Sequence, residues 1–128
     1  WIITGSSASV YDDFTWIIEL EKAIKCALEV EKPILGICFG HQLIAQSMGG
    51  KVEKNTRGWE LGSYPMSNIS EHPLFDNICI EDYFYNSHQD VVTELPNGFI
   101  SLAENEIPID YTIDRIPDAE YETIIWEN

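Results

Sequence analysis

One cysteine in this chain is placed where a thiol can act as a nucleophile. In Pro33-Ile34-Leu35-Gly36-Ile37-Cys38-Phe39-Gly40-His41-Gln42, apolar residues run into Gly-x-Cys-x-Gly, and Leu43, Ile44, Ala45 and Met48 follow at helical spacing. That pattern reads as a buried strand, a sharp turn with Cys38 at its apex, and a helix. It is the thiol counterpart of the Gly-x-Ser-x-Gly elbow. Gly36 and Gly40, two positions to either side, let strand and helix approach until the central side chain is pushed outward. A thiol there sits over the first turn of a helix, where unpaired N–H groups and the macrodipole favour the thiolate that covalent catalysis requires. A buried Cys in an ordinary strand–helix junction would give the same spacing, so the pattern alone leaves both readings open.

The elements that must position this residue follow from the pattern on either side of it. Residues 1–4 read as a strand, and Gly5 to Tyr11 as a Gly- and Ser-rich loop suited to close backbone approach. Asp12 or Asp13 is expected to cap a helix whose apolar face is Trp16, Ile17, Leu20, Ala23, Ile24, Ala27 and Leu28, with Cys26 packed near that face. Pro33 opens the elbow strand, and Gly49-Gly50 stops the elbow helix after Met48. Lys51–Lys54 is a short strand and Gly58–Met66 a second, partly exposed one. His72–Phe75 reads as a turn with a short helical piece. Ile78–Tyr85, which contains Cys79, reads as a strand, and Ser87-His88-Gln89-Asp90 as a polar break before Val91-Val92. A turn at Pro96-Asn97-Gly98 precedes a strand at Phe99–Ala103. The acidic tail alternates at Ile107, Ile109, Tyr111 and Ile113 and ends in a β-rich run over 121–126. Strands with interspersed helices and no repeats imply an α/β sheet.

Composition narrows the class of partner. The 128 residues read as one globular domain, and 22 acidic against 7 basic residues give a net charge of −15. A surface of that sign disfavours nucleic acid and anionic membranes. No apolar run approaches the roughly 20 residues of a membrane span. Cys26, Cys38 and Cys79 are far apart and lack metal-ligand spacing, which fits a reducing, cytoplasmic compartment.

Gly36-Ile37-Cys38-Phe39-Gly40-His41-Gln42 resembles the signature of class I glutamine amidotransferases, within which it is most similar to the glutaminase part of GMP synthase and its stand-alone relatives. Residues 2–12, Gly58-Trp59-Glu60-Leu61-Gly62 and Ser87-His88-Gln89-Asp90 agree in the same order, so the resemblance covers residues 1–103. It implies a flavodoxin-like, mainly parallel sheet with helices on both faces, here one domain over 1–128 that is incomplete at both ends. It implies hydrolysis of L-glutamine to glutamate and ammonia through a γ-glutamyl thioester on Cys38, with no cofactor and no metal. The oxyanion would be held by the N–H of Phe39, as in other elbows, and by the Gly5–Ser6 loop, where Ser6 replaces the family's Gly. Substrate binding would fall to Gln42 and to the turn at Ser87, His88 and Gln89; without the resemblance these read as polar packing and a polar turn. His41 reads as a structural donor and Glu60 as structural or partner-facing. Ammonia would pass to a synthetase domain or subunit. Another γ-glutamyl substrate, such as a γ-glutamyl peptide, is the alternative within the same chemistry.

One expected part is missing. The family pairs its Cys with a late His and Glu, and this sequence offers only His41, His72 and His88. His72-Pro73 is followed by Leu74 and precedes the Ser-His-Gln-Asp turn, and nothing after Ala103 is His. Either the chain is a piece of a longer enzyme, or it is a silent binding domain that kept the fold. Trp1-Ile2-Ile3 reads as a strand already under way, which favours a piece lacking upstream material.

Overall fold

Gly40 has no room for a side chain. In the computed structural model, a Cβ placed there would fall on the carbonyl oxygen of Ile3 and lie 2.7 Å from its carbonyl carbon. A Cβ on Gly36 would lie 2.6 Å from the Gly40 carbonyl carbon and the His41 nitrogen. Three backbones therefore meet at this point: strand β1 (Ile2–Ile3), strand β2 (Leu35–Ile37) and the nine-residue helix α2 (Phe39–Ser47). β1 and β2 pair in parallel, Ile2 with Leu35 and Ile3 with Gly36. Leu43, Ile44 and Ala45 of α2 are fully buried over them. The helix ends as the sequence implies: Gly49 takes φ +94, and the Gly50 N–H returns to the Ala45 carbonyl at 2.8 Å.

The structure describes residues 1–67, 71–76, 83–105, 111–115 and 124–126. Beyond α1 (Thr15–Glu29) and the elements above, they form β3 (Lys51–Lys54), β4 (Glu60–Ser67), a 3-10 turn (Pro73–Phe75), β5 (Tyr83–His88), β6 (Asp90–Glu94), β7 (Phe99–Asn105), β8 (Tyr111–Arg115) and β9 (Ile124–Trp126). One sheet runs β1-β2-β9-β8-β7-β4-β5, and β3 with β6 forms a separate two-stranded ribbon. The expected mainly parallel sheet is not what these strands build. Only β1–β2 and β2–β9 are parallel, and the other described pairs are antiparallel. A parallel pair needs a crossover of a dozen or more residues, usually a helix. The described helices are both used up by β1, β2 and their surroundings. α1 and α2 pack on each other, and α2 lies against β1 and β2. Cys79 and the alternation from Ile107 to Ile109 lie outside the described residues. No helix among the described residues is long and apolar enough to cross a membrane.

Helix α1 buries Ile17, Ile24, Ala27 and Leu28, as its periodicity implies, but Cys26 is exposed, one step off that face. Neither aspartate caps it. The N-cap is Phe14 with no side-chain bond, because Asp12 Oδ2 instead accepts the Ser9 N–H at 2.9 Å and closes the preceding loop. That loop is tied down at several points. Val10 is buried in the core, and its carbonyl accepts from Gln46 Nε2 at 2.9 Å. Ser9 Oγ donates to Asp90 Oδ2 at 2.5 Å and the Tyr11 hydroxyl to Asp90 Oδ1 at 2.7 Å. Burial holds the Tyr11 phenol above its ordinary range; a hydrogen bond with Ser9 opposes this and the Asp90 carboxylate adds to it.

Gly40→Ala should lower stability by about 2–3 kcal/mol in urea unfolding, because backbone cannot move aside as a rotamer does; Gly49→Ala, which meets nothing within 4 Å, should cost only the roughly 1–2 kcal/mol of a left-handed conformation. Asp90→Ala leaves two hydroxyls without their acceptor and should cost about 1.5–3 kcal/mol by the same measurement. The phenol's folded pKa is raised, so its contribution is complete below pH 10 and lost as pH rises through the raised value. Tyr11→Phe should remove that alkaline component from the stability–pH curve.

Candidate active site

Cys38 is the N-cap of α2, and its backbone sits at φ +53, ψ −112. A non-glycine residue rarely adopts such angles, and the cost is of order 1–3 kcal/mol. Burying Phe39, Leu43 or Ile44, each nearly or fully hidden, contributes about 1.5–3 kcal/mol apiece, so the helix's own packing outweighs the strain. Trp16 of α1 adds to this, its ring 5.4 Å from that of Phe39. The result is a thiol turned out of the strand–helix junction rather than into it. It is half-buried, at the positive end of a helix, beside the first backbone N–H groups, which have no intrahelical acceptor. The alternative of a core cysteine does not survive this geometry.

The thiol opens into a cleft of about 420 Å³. On one side runs the 5–13 loop: a Cβ on Gly5 would lie 3.6 Å from Cys38 Cβ and 4.0 Å from Sγ, and Ser6 to Ser9 line the wall. The Ser6 hydroxyl accepts the Ala8 N–H at 3.1 Å, which holds the loop's curve with a serine where a second glycine was expected. Opposite stand Ser87, His88, Gln89 and Asp90, and Gln42 ties this wall to α2 by donating from Nε2 to the Asp90 carbonyl at 2.8 Å. Lys54 and Trp59 complete the mouth. Every residue singled out from the sequence for substrate contact therefore borders one space with Cys38, and Gly5 and Phe39 adjoin the thiol.

The polar break differs in detail from its sequence reading. β5 runs through Ser87 and His88, only Gln89 bends, and β6 begins at once with Asp90. Its backbone is bonded from outside: the Asn55 N–H donates to the Gln89 carbonyl at 2.7 Å. Beneath it lies a buried polar cluster. His88 Nδ1 is 3.2 Å from the Asp90 carbonyl and Nε2 is 3.8 Å from Glu60 Oε2, both side chains only 4% exposed. Asn55 Nδ2 donates to Glu60 Oε1 at 2.7 Å. Carbonyl and carboxylate face the two ring nitrogens, so His88 braces the turn. Glu60 belongs to this cluster and, being buried, is not partner-facing. His41 is fully buried within α2, consistent with a structural role, and His72 packs edge-on to Phe75 without lining the cleft.

Sequence reading missed Asp90, Ser9 and Tyr11 as the clasp between loop and turn, and Lys54 as a cleft residue. Ser9, Tyr11 and Asp90 lie within quoted motifs, but only the fold pairs positions some 80 residues apart. Lys54 carried no signal beyond its strand. Past these walls, β9 pairs in parallel with β2, and Trp126 is level with Ile37, the residue before Cys38.

Comparison with known proteins fits this arrangement. Residues 2–111 match the family model for glutamine amidotransferase class-I. The chain is 40% identical over 105 residues to a glutamine-hydrolyzing GMP synthase of Clostridium novyi, covering 82% of this chain and 19% of that protein. It is 39% identical over 108 residues to gamma-glutamyl peptidase 4 of Arabidopsis thaliana, covering 80% of this chain and 43% of that protein. The chain thus spans less than half the length of either relative. A crystal structure of a glutamine amidotransferase from Thermotoga maritima shares the fold, with a TM-score of 0.77 at 23% identity over 87% of this chain and 49% of that one. With a family match over nearly its whole described length and a strained cysteine at the head of the elbow helix, the chain belongs to the class I glutamine amidotransferases.

Proposed function

We propose that Cys38 is the nucleophile of a reaction on the side-chain amide of L-glutamine. The observation that carries this reading is the outward thiol at φ +53, bordered by the Gly5 loop on one side and the Gln42–Asp90 wall on the other. In the proposed sequence Sγ bonds to the amide carbon, and the oxyanion forms against the N–H groups of Phe39 and of the Gly5–Ser6 loop. The C–N bond then breaks and ammonia leaves with a proton from a general acid. Water attacks the resulting thioester, its proton returns to the same group, and glutamate departs with the thiol restored. Loss of one oxyanion donor would cost about 3–4 kcal/mol of transition-state stabilisation. Gln42 and the turn at Ser87, His88 and Gln89 would hold the amino-acid end.

The proton carrier that this reading requires is a histidine reaching Cys38 from outside the described residues. The pairing of β9 with β2, Trp126 opposite Ile37, puts that strand next to the one that carries the elbow. His88 is the less suitable candidate, because its ring nitrogens face the Asp90 carbonyl and Glu60. Ammonia would pass to a synthetase domain or subunit, as the name of the GMP synthase relative implies for that protein. Similarity of the same strength to a gamma-glutamyl peptidase favours a second reading, in which the leaving group is the amine of a γ-glutamyl peptide. Either reaction needs a reduced thiol, which fits a reducing, cytoplasmic compartment.

In the intact protein, Cys38→Ser should lower ammonia release from glutamine by about 10³-fold or more, read by coupled ammonia assay; unchanged release would remove Cys38 from the mechanism. Release of the amine from γ-glutamyl dipeptides, measured alongside, separates the two readings. If neither substrate turns over and the intact protein supplies no histidine beside Cys38, the silent binding domain is what remains.

A further inference from the structure

One charge on the cleft wall has no part in the chemistry above. Lys54 closes β3 and pairs in register with Asp90, the first residue of β6. Residues directly opposite in an antiparallel ladder project from the same face. The Asp90 side chain reaches the 5–13 loop through Ser9 and Tyr11, so Lys54 stands on the cleft side as well, and both line the cleft. Among the described residues Lys54 is the only lysine or arginine that does so. Its ammonium forms no ion pair with any described residue. The neighbouring carboxylates are otherwise engaged, Glu53 with Lys51 at 3.1 Å and Asp90 with its two hydroxyls.

We infer that Lys54 recognises the α-carboxylate of the substrate. The inference rests on the reading that Cys38 attacks a γ-glutamyl amide, and it holds for glutamine and for γ-glutamyl peptides alike, because both present the same free amino-acid head. With the amide carbon at Cys38, the α-carboxylate lies four carbon–carbon bonds away, roughly 5 Å. That distance carries it from the thiol toward the 87–90 wall beside which Lys54 stands. Charge favours a cation there. The chain carries −15, so a carboxylate entering the cleft meets an unfavourable field, and a local ammonium is the simplest means of reversing it. Lys54 is exposed and the cleft is open, so the contribution is that of a partly screened charge-assisted bond.

The test uses a glutamine analogue in which a chloromethyl ketone replaces the side-chain amide. The Cys38 thiolate displaces chloride, and a thioether forms that mass spectrometry with peptide mapping can follow. The same compound with its α-carboxylate converted to the carboxamide removes only the charge, and iodoacetamide reports the thiolate without any head group. The wild-type chain should bind the free acid about fivefold to tenfold more tightly than the carboxamide, judged by half-saturation of the alkylation rate. In Lys54→Met that ratio should fall to within about twofold, relative to the iodoacetamide rate, and Lys54→Arg should keep it. Retained discrimination in Lys54→Met, or none in the wild type, overturns the assignment of Lys54 and leaves the nucleophile standing. If neither chloromethyl ketone labels Cys38 with saturation while iodoacetamide does, the proposed γ-glutamyl chemistry falls, and the role of Lys54 with it.

Discussion

The backbone at Cys38 is held in a conformation it would not choose, and much of the molecule serves to hold it. The strain is local, of order 1–3 kcal/mol, but the forces against it come from three directions. Gly36 and Gly40 let β2, α2 and β1 come into backbone contact. The buried flank of α2 fixes the helix axis. Trp16 presses on Phe39 from the neighbouring helix. Relaxing the turn would require pulling α2 off the sheet, which would expose far more apolar surface than the strain is worth. The thiol is therefore presented by the packing that fixes its backbone.

The second wall is held by polar contacts instead. Asp90 receives Ser9 and Tyr11 on its carboxylate and Gln42 on its carbonyl, so one residue ties the loop, the elbow helix and the β3–β6 ribbon together. Asn55 adds the Gln89 carbonyl and Glu60 to the same network. Buried polar groups are tolerable only when so thoroughly partnered. This explains how Asn86, His88 and Asp90 of so hydrophilic a run can be buried within strands while Ser87 faces outward.

The elbow was legible because it is local. Its glycines, apolar run and nucleophile lie within ten residues, and their spacing constrains the turn without reference to the rest of the chain. The C-terminal stop at Gly49-Gly50 and the turn before Phe99 were legible for the same reason. What could not be read depended on partners distant in sequence. The antiparallel arrangement past β2 is set by which strands meet, and the pairing of Lys54 with Asp90 by ladder register. The polar stretch 87–90 looked like a loop because polarity usually marks one. Yet the alternation continues, with Tyr83, Tyr85 and Ser87 outward and Asn86 and His88 inward. Asp12 resembled a helix cap but was taken by the Ser9 N–H, a competition within four residues that composition does not decide.

Between Asn55 and Glu60 the chain makes a turn whose two ends are fixed inside the polar cluster while Thr56, Arg57 and Trp59 face outward, Trp59 with 64% of its surface exposed. Such a segment can change its residues without disturbing either anchor, and it borders the mouth of the cleft without touching the elbow that aims the thiol. The scaffold thus separates what must stay constant from what can vary. The outward thiol can be kept while a few positions at the mouth are rewritten, which gives a physical basis for one chain resembling relatives as unlike as a GMP synthase and a gamma-glutamyl peptidase.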